Sequence, residues 1–396
     1  MISLILTSDQ YYALGKLERW YRKNNHQVID VSGVVGTGIW DIIQKFLDDF
    51  EFDPKEVMYL SYNQGQVVEL AAQRHHAYYV NGVIYKYTRI VNFDSLSVIN
   101  PLSESLDYQW KKYVRKSIKG FYKIIIVIDA SLLDKDTLTD LMSFGLPIIL
   151  LRDPWLIPSP NSYVASREPN IILNEPHPEY MKNPIVYFAH RILHNEPLHS
   201  GNYDNVSIVP RKQMNLYNFK SSDMVLTMDS QTRWDINKLY REKIMHLKTI
   251  ENVTGERVIV MNTLYGHKLV NPDEKHIKVY LAKGTIGNLS KCNKHALNTK
   301  YVPIEFKPEF YYDVFSDLYM DRHYLNGVNT PSRQQIPDEY LQLQYAYALT
   351  PDLARLSHWN KVTVIANSNQ SLDSIQMQSM LYTAVTRARD RLTLII

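Results

Sequence analysis

The sequence contains a single cysteine, Cys292, among its 396 residues. One cysteine excludes an internal disulfide and any metal site built from several thiolates. Long apolar runs are missing too, since no stretch approaches the ~20 apolar residues needed to cross a bilayer. The opening run MISLIL is followed at once by the polar TSDQ, which is too short an apolar segment for a signal peptide. We therefore expect a protein of a reducing cell interior that does not contact a membrane.

The chain also has little net charge. It carries 44 Lys and Arg against 41 Asp and Glu, which gives +3. This balance favours nucleic acid as a partner only weakly. Basic residues do cluster in one predicted helix, at Lys111, Lys112, Arg115, Lys116 and Lys119. Taken alone, this cluster is explained better by a solvated helix face than by a nucleic-acid contact.

The first half of the sequence has the pattern of a nucleotide-binding α/β domain. Residues 28–32 (VIDVS) form a short apolar run that predicts a buried strand, and the glycine-rich GVVGTG follows it. The next segment places Ile39, Ile42, Ile43, Phe46 and Leu47 on one helical face. Two continuous apolar runs, at 122–131 and 146–154, are typical of central strands in a parallel sheet.

The second half repeats the α/β pattern around an interruption. Segments 183–193 and 232–247 predict helices, and 361–366 and the final RLTLII predict strands. Between Asn252 and about Gln335 the sequence turns to short β-like runs. These patterns predict an α/β protein with two α/β layers and two insertions.

The segment GVVGTGIW resembles the phosphate-binding loop GxxxxGK[ST] in its frame. Gly33, Gly36 and Gly38 stand after a strand and before a helix, as that loop requires. Ile39 stands where the loop has the lysine that bridges the β- and γ-phosphates, and Trp40 where it has the hydroxyl for magnesium. Alone, the segment is explained equally well as a glycine-rich turn.

Further segments, in order, resemble the motifs of superfamily 1 DNA helicases, and the layout is most similar to their RecD/Dda-type branch of bacteria and bacteriophages. These segments are LTSDQ (6–10), VIDAS (127–131), RDPWLIPSP (152–160), 172–201, TRWDINKLYRE (232–242), 347–365 and LYTAVTRARDRLTLI (381–395). They extend over nearly the whole chain.

The resemblance implies two RecA-like domains of the P-loop NTPase fold. The first would occupy residues 1–165, with a short 1B-like insertion at about 80–119. The second would occupy 166–250 together with 340–396. A small β-rich, 2B-like insertion would occupy 251–339.

Some residues of the family's nucleotide site are kept. The resemblance implies that Gln10 reads adenine, that Asp129 is the carboxylate on the magnesium side, and that Asp153 keeps its place in the GDPxQLPP motif. Arg387 stands where the family has its arginine finger. A structural ion pair with Asp390 is the interpretation of Arg387 that we favour from the sequence. With Gly33, Gly36 and Gly38, these residues are the predicted remnant of a nucleotide site.

Other residues of that site are replaced. Ala130 takes the place of the glutamate that polarises water, Leu156 that of the γ-phosphate-sensing glutamine, and Pro178 that of an arginine on the γ-phosphate. With Ile39 and Trp40, five groups that stabilise charge are absent, each worth about 3 kcal/mol in such sites. The sequence therefore predicts a helicase-like protein that is not an enzyme and has neither a cofactor nor a metal.

Single-stranded DNA is the ligand that the resemblance implies, and five residues are candidates to contact it. These candidates are Ser61, Asn63, Trp155, Ser357 and Trp359. The favoured hypothesis is an accessory factor that binds DNA or joins a replication or recombination assembly in the cytoplasm of a bacterium or a phage-infected host. A protein-interaction module that regulates a replicative helicase or polymerase is the second, since Asp352, Leu353, Arg355 and Leu356 replace DNA-motif residues. An ATP-dependent helicase with atypical motifs is the third.

Overall fold

The computed structural model describes most of the chain. The residues that it leaves out are 1–4, 24–26, 63–65, 68–69, 72, 74, 81–88, 91–110, 113–119, 248–253, 263–280, 282, 293–300, 310–313, 322–339 and 367–374. The described residues fall into two units, one drawn from 1–62, 66–154 and 158–177, the other from 155–157 and 178–396. None of the helices in the described part is long and apolar enough to span a membrane.

The first unit is built on a six-stranded sheet in which every paired neighbour is parallel. Its strands are β1 (Val28–Gly33), β2 (Val57–Ser61), β3 (His76–Tyr79), β6 (Ile124–Val127), β7 (Ile148–Arg152) and β8 (Ile171–Leu173). They lie in the order β3-β2-β6-β7-β1-β8. The central strands are buried on both faces, as their continuous apolar sequences predict.

Helices cover both faces of this sheet. On one face lie α1 (Ser8–Arg22) and α2 (Ile39–Asp49), which bury Leu17, Ile42, Ile43 and Phe46 against alternate strand residues. On the other face, α3 (Lys135–Met142) buries Leu138 and Leu141. The predicted apolar face of α2 is confirmed, because four of its five residues are buried and Ile39 packs at the rim.

A short pair of strands corrects one prediction. Lys111 and Lys112 form β5 (Lys111–Lys112), which pairs antiparallel with β4 (Arg89–Ile90), so the helix predicted there is wrong at these two residues. The spacing of basic residues was compatible with a helix, but pairing with a strand some twenty residues away decides the backbone, and local pattern does not reveal such a partner. The rest of the basic cluster lies outside the described residues.

The second unit contains another six-stranded sheet. Its strands are β9 (Gly201–Tyr203), β10 (Val206–Val209), β11 (Met224–Thr227), β17 (Ala348–Leu349), β18 (Trp359–Ile365) and β19 (Ala388–Ile395), in the order β17-β11-β18-β19-β10-β9. All pairs are parallel except β9 with β10. Its helices are α4 (Pro178–Met181), α5 (Pro184–Leu193), α6 (Leu216–Lys220), α7 (Ser230–Leu239), α8 (Pro351–Ala354) and α9 (Ile375–Val385).

A five-stranded antiparallel sheet interrupts this unit between α7 and β17. Its strands are β12 (Arg257–Val260), β13 (Ile286–Cys292), β14 (Tyr301–Pro308), β15 (Phe315–Asp321) and β16 (Leu343–Tyr345), in the order β15-β14-β13-β12-β16. The outer strands approach each other, since Met320 bridges Leu341 and the Leu341 amide donates to the Tyr319 carbonyl at 2.8 Å. The sheet thus closes on itself around an apolar interior that includes Leu289, Phe306 and Phe315.

The segment TRWDINKLYRE joins this insertion to the parallel sheet. The buried Asn237 amide donates to the Arg233 and Ala348 carbonyls, both at 2.9 Å. Its oxygen accepts from the amides of Tyr347 at 2.9 Å and Ala348 at 3.0 Å. After α7 the backbone runs as one turn of π-helix, Tyr240–Ile244, which carries Arg241 to the buried carboxylate of Glu256. The side chains of this segment therefore tie several backbone segments together.

The predicted fold class is confirmed in its main features. The chain is α/β, with two sheets of mainly parallel strands and a separate antiparallel β insertion. The short insertion predicted at about 80–119 falls largely outside the described residues.

Candidate functional site

The motif residues of the first unit gather at one edge of its sheet. Because the strands run parallel, their carboxyl ends lie along the same edge, where α/β proteins bind ligands. The glycine-rich loop follows β1, Ser61 ends β2, Asp129 follows β6 and Asp153 follows β7. One strand, β7, separates the strand before the glycine loop from the strand before Asp129. The fold thus assembles these residues from segments that are far apart in the sequence.

The loop from Gly33 to Gly38 keeps the backbone form that a phosphate cradle requires. Gly36 and Gly38 have φ of 84° and 70°, which only glycine adopts freely. At Gly33 a Cβ atom would lie 2.5 Å from the Thr37 hydroxyl oxygen, so this position excludes larger residues. Gly38 is the N-cap of α2, whose first amides have no partner within the helix. The loop can therefore present amide groups to an anion.

The side chain of Gln10 is hydrogen-bonded to the backbone of this loop. Its side chain is buried. The side-chain oxygen accepts from the Thr7 backbone amide at 2.9 Å, and the side-chain nitrogen donates to the Thr37 carbonyl at 2.9 Å. The Thr7 hydroxyl accepts in turn from the Gln10 backbone amide at 3.2 Å, which completes a capping box for α1. Both polar atoms of the Gln10 side chain are thus used inside the chain, and its predicted role in reading adenine remains a prediction.

His177 is a loop contact that the sequence did not reveal. Its backbone amide donates to the Gly36 carbonyl at 2.8 Å, and its ring Nε2 donates to the Ile5 carbonyl at 3.0 Å. The ring is buried. This histidine precedes Pro178 in a segment that resembles a helicase motif, but the resemblance assigns no role to it. Only the folded backbone brings it next to the glycine loop.

Apolar and aromatic packing surrounds the two replaced loop positions. Ile39 and Trp40, at the start of α2, both pack against the core that α1 and α2 share with the sheet. The Trp40 ring lies 5.7 Å from the ring of Tyr59, which in turn lies 4.7 Å from His75. Neither side chain adds a positive charge or a metal ligand at the loop. An anion bound there would rely on backbone amides.

Asp129 and Ala130 differ in their surroundings although they are neighbours. Asp129 has a left-handed backbone with φ of 54° and begins a turn of 3₁₀ helix. Ala130 is completely buried in the apolar cluster beneath α3. A glutamate at position 130 with this backbone would place its carboxylate in that cluster. The replacement therefore fits the local packing.

A buried ion pair occupies the neighbourhood of β1 and β7. Arg152 Nε donates to the Asp30 carboxylate at 3.1 Å, and its other nitrogens donate to the carbonyls of Val164 at 2.9 Å and Arg167 at 2.6 Å. Burial raises the pKa of Asp30 to about 6, while Arg152 acts in the opposite direction. The Arg152 side chain thus fixes the connection between β7 and β8.

Arg387 is buried in the second unit with its guanidinium engaged. Nε donates to the Thr383 carbonyl at 3.1 Å, one terminal nitrogen to the Thr386 hydroxyl at 3.1 Å, and the other to the Arg355 carbonyl. These bonds tie the end of α9 to the segment after α8. This placement favours a structural role, in which the guanidinium bonds backbone carbonyls and a hydroxyl group and not the carboxylate of Asp390 that the sequence suggested.

Trp155, Leu156 and Pro178 also belong to the second unit. The Trp155 carbonyl accepts from the Ser379 hydroxyl at 2.8 Å, and the Ile157 amide donates to the Thr383 hydroxyl at 3.3 Å. Pro178 is the first residue of α4, a position suited to its fixed φ and missing amide proton. These residues therefore lie in a different unit from Ile39, Trp40 and Ala130.

The side chains predicted to contact DNA differ in how far they are exposed. Ser61 is fully buried and its hydroxyl donates to the Gln66 side chain. Trp359 is 9% exposed at the start of β18, which disfavours it as a stacking surface. Trp155 and Ser357 are half-buried, and Asn63 lies outside the described residues. Within the described residues, no group of three or more His, Cys, Asp or Glu could hold a metal ion.

The chain is similar to several solved helicase structures. With Pif1 helicase from Candida albicans it shares 13% identity, over 99% of this chain and 94% of that one, at a TM-score of 0.41. With Pif1 helicase from Bacteroides in complex with ADP-AlF3 and ssDNA the identity is also 13%, over 99% and 92%, at a TM-score of 0.44. With the Arterivirus helicase nonstructural protein 10 bound to DNA it is 10%, over 94% and 62%, at 0.38. No family model and no curated protein matches the sequence.

This comparison corrects one expectation. The sequence predicts that the chain is not an enzyme, and that prediction is wrong, because the structures similar to it are those of helicases. The architecture of the chain follows from its own strand order.

Proposed function

We propose that this chain binds single-stranded DNA and acts as an accessory factor in DNA replication or recombination. The observation that carries the proposal is the arrangement of the first unit, whose helicase-like motif segments gather at the carboxyl ends of parallel strands. A second sheet of mainly parallel strands in the same chain supports it, since the motif order predicts two such layers. Single-stranded DNA is also present in a similar structure, that of Pif1 from Bacteroides.

The test is fluorescence anisotropy of a labelled thymidine homopolymer titrated with the protein at two salt concentrations. We expect binding that weakens steeply as salt rises, because contacts to phosphates release counterions. Double-stranded DNA of the same length is the matched probe. Absence of any anisotropy change with the single strand at low salt would overturn the proposal.

Repeating the titration with ATP and Mg²⁺, and measuring phosphate release beside it, separates the accessory role from the helicase role. Binding that is independent of ATP supports an accessory factor. ATP-dependent binding together with phosphate release would instead support an ATP-dependent helicase with atypical motifs.

A protein-interaction module is the second candidate. The burial of Ser61 and Trp359 favours it, because these residues then offer little to a DNA strand. Failure to bind DNA, combined with stable co-purification of the chain with a purified replicative helicase or polymerase, would support this candidate.

A further inference from the structure

The exposed side of α1 combines aromatic and basic side chains. At 100° per residue, six positions of this helix from Tyr11 onward, together with its C-cap residue Lys23, fall within one arc of about 140°. The helix face formed by these positions, which we call the α1 face, consists of Tyr11, Tyr12, Gly15, Lys16, Arg19, Arg22 and Lys23. The opposite side of the helix, with Ala13, Leu14 and Leu17, is buried against the sheet.

The two tyrosines are exposed to an unusual degree. Tyr11 is 61% and Tyr12 58% exposed, although each carries a large apolar ring. Neighbouring exposed rings are the surface on which the bases of single-stranded nucleic acid stack, whatever their sequence. The ammonium group of Lys16 lies 4.8 Å from the centre of the Tyr12 ring and 3.2 Å from the Asn170 carbonyl oxygen. These two contacts hold a cation beside the aromatic surface.

The charges of the α1 face are complementary to a phosphate backbone. Lys16, Arg19, Arg22 and Lys23 contribute four positive charges within two helical turns. Glu18 falls at the edge of the arc. Asp9 falls at the other edge, where its Oδ2 accepts from the backbone amides of Asn174 at 2.7 Å and Glu175 at 3.1 Å. The centre of the face therefore carries positive charge only.

We infer that the α1 face is a docking surface for single-stranded nucleic acid, on which bases stack on Tyr11 and Tyr12 and phosphates pair with the basic residues that follow. This inference rests on the proposed function and adds a location for part of the DNA path. The α1 face lies on a helix that covers one face of the first sheet. It does not lie at the carboxyl ends of the strands, where the glycine loop stands. It is thus distinct from the strand ends, although Gln10, which contacts the glycine loop, stands on the buried side of the same helix.

Two double variants test the inference in the anisotropy assay with the thymidine homopolymer. Tyr11→Ala/Tyr12→Ala removes the stacking surface, and Lys16→Gln/Arg19→Gln removes two charges. We expect the tyrosine variant to bind at least about tenfold more weakly, since alanine substitution at a stacking position typically costs that much. The charge variant should bind more weakly at low salt, because it loses cations that pair with phosphates. The charge variant should also reduce the salt dependence, by about 0.7 in the logarithmic slope for each phosphate that the protein no longer neutralises.

The matched control lies on α6, where Tyr217 is 75% exposed and Lys220 follows on the same side. Tyr217→Ala/Lys220→Gln removes an exposed ring and a charge elsewhere and should bind as the unaltered protein does. If the unaltered protein binds and the α1 variants bind equally well, the inference is overturned while the proposed function stands. If the unaltered protein does not bind at low salt, both fail together.

Discussion

The guanidinium of Arg241 pairs with the carboxylate of Glu256 where neither side chain is more than 2% exposed. The same guanidinium lies 4.4 Å from the centre of the Tyr345 ring, and burial raises the pKa of that tyrosine well above its usual value. Arg241 stands on the π-helical turn, Glu256 directly before β12 and Tyr345 at the end of β16. Arg241 thus connects the start of the β insertion, at Glu256, to its end, at Tyr345.

Replacement of Glu256 by glutamine should destabilise the insertion by about 3 kcal/mol, because the buried Arg241 charge loses its counter-charge. Hydrogen exchange of the β12 and β16 amides measures this locally. The exposed pair Lys291–Glu305 provides the control, and Glu305→Gln should change stability by less than about 1 kcal/mol. Equal protection of β12 in both variants would contradict the role given to the buried pair.

Asn237→Ala should lower the stability of the second unit by at least about 2 kcal/mol. The substitution leaves two backbone amides and two carbonyls without the partners that the side chain supplies. Thermal unfolding followed by circular dichroism measures the loss. Asn202→Ala is a control, since that side chain makes an exposed bond to Ser207 on the edge pair of strands. A similar decrease in melting temperature for both variants would count against the prediction.

The pH dependence of stability should include a contribution from Asp30. Its pKa rises from 3.8 to about 6 on folding, mainly through burial. Between these two values the folded chain therefore keeps a proton that the unfolded chain has released. The free energy of unfolding then falls as the pH rises through this window, by an amount on the order of 1–3 kcal/mol.

Asp30→Asn removes this titration, so the difference in stability between the two proteins should change between pH 4 and pH 6 and level off above it. Denaturant unfolding at half-unit intervals of pH gives the comparison. A difference that stays constant across the range would show that Asp30 has an ordinary pKa in the folded chain.

Two glycines should respond in opposite directions to alanine. At Gly287, in β13, a Cβ atom would lie 2.3 Å from the Lys307 carbonyl oxygen, so Gly287→Ala must displace backbone and destabilise the insertion. At Gly15, within α1, no atom other than those of the neighbouring helix backbone lies within 4 Å of the added carbon. Gly15→Ala should stabilise the first unit by up to about 1 kcal/mol, because alanine favours helix. Melting temperatures that shift in the same direction would contradict this account.

Much of the architecture could be predicted because its signals are local. The apolar run of β1, the glycines after it and the one-sided pattern of α2 lie within about twenty residues, and each appears where expected. The strand predicted at 361–366 and the strand predicted at the end of the sequence follow the same rule. Such elements depend on side-chain periodicity, which the sequence displays directly.

The features that escaped prediction depend on distant partners. His177 touches the glycine loop across more than 140 residues of sequence, and Arg152 reaches Asp30 across 122. Ala130 could be identified as a replaced residue, but only the structure shows that its position faces a closed apolar cluster. The candidate site was thus predicted in its backbone frame, while the hydrogen bonds and packing that hold it were not.

The first and last strands of the β insertion pair with each other, with Val258 opposite Tyr345, and the Ala346 amide donates to the Arg257 carbonyl at 3.0 Å. The chain therefore leaves the parallel sheet and returns to it at nearly the same point. Closure entropy rises only slowly with the length of a connection, and the ends of this insertion are held together by strand pairing, so its length adds little to the closure cost of the parallel sheet. An insertion attached in this way can be lengthened, shortened or exchanged for another module while the sheet that carries it keeps its strand order.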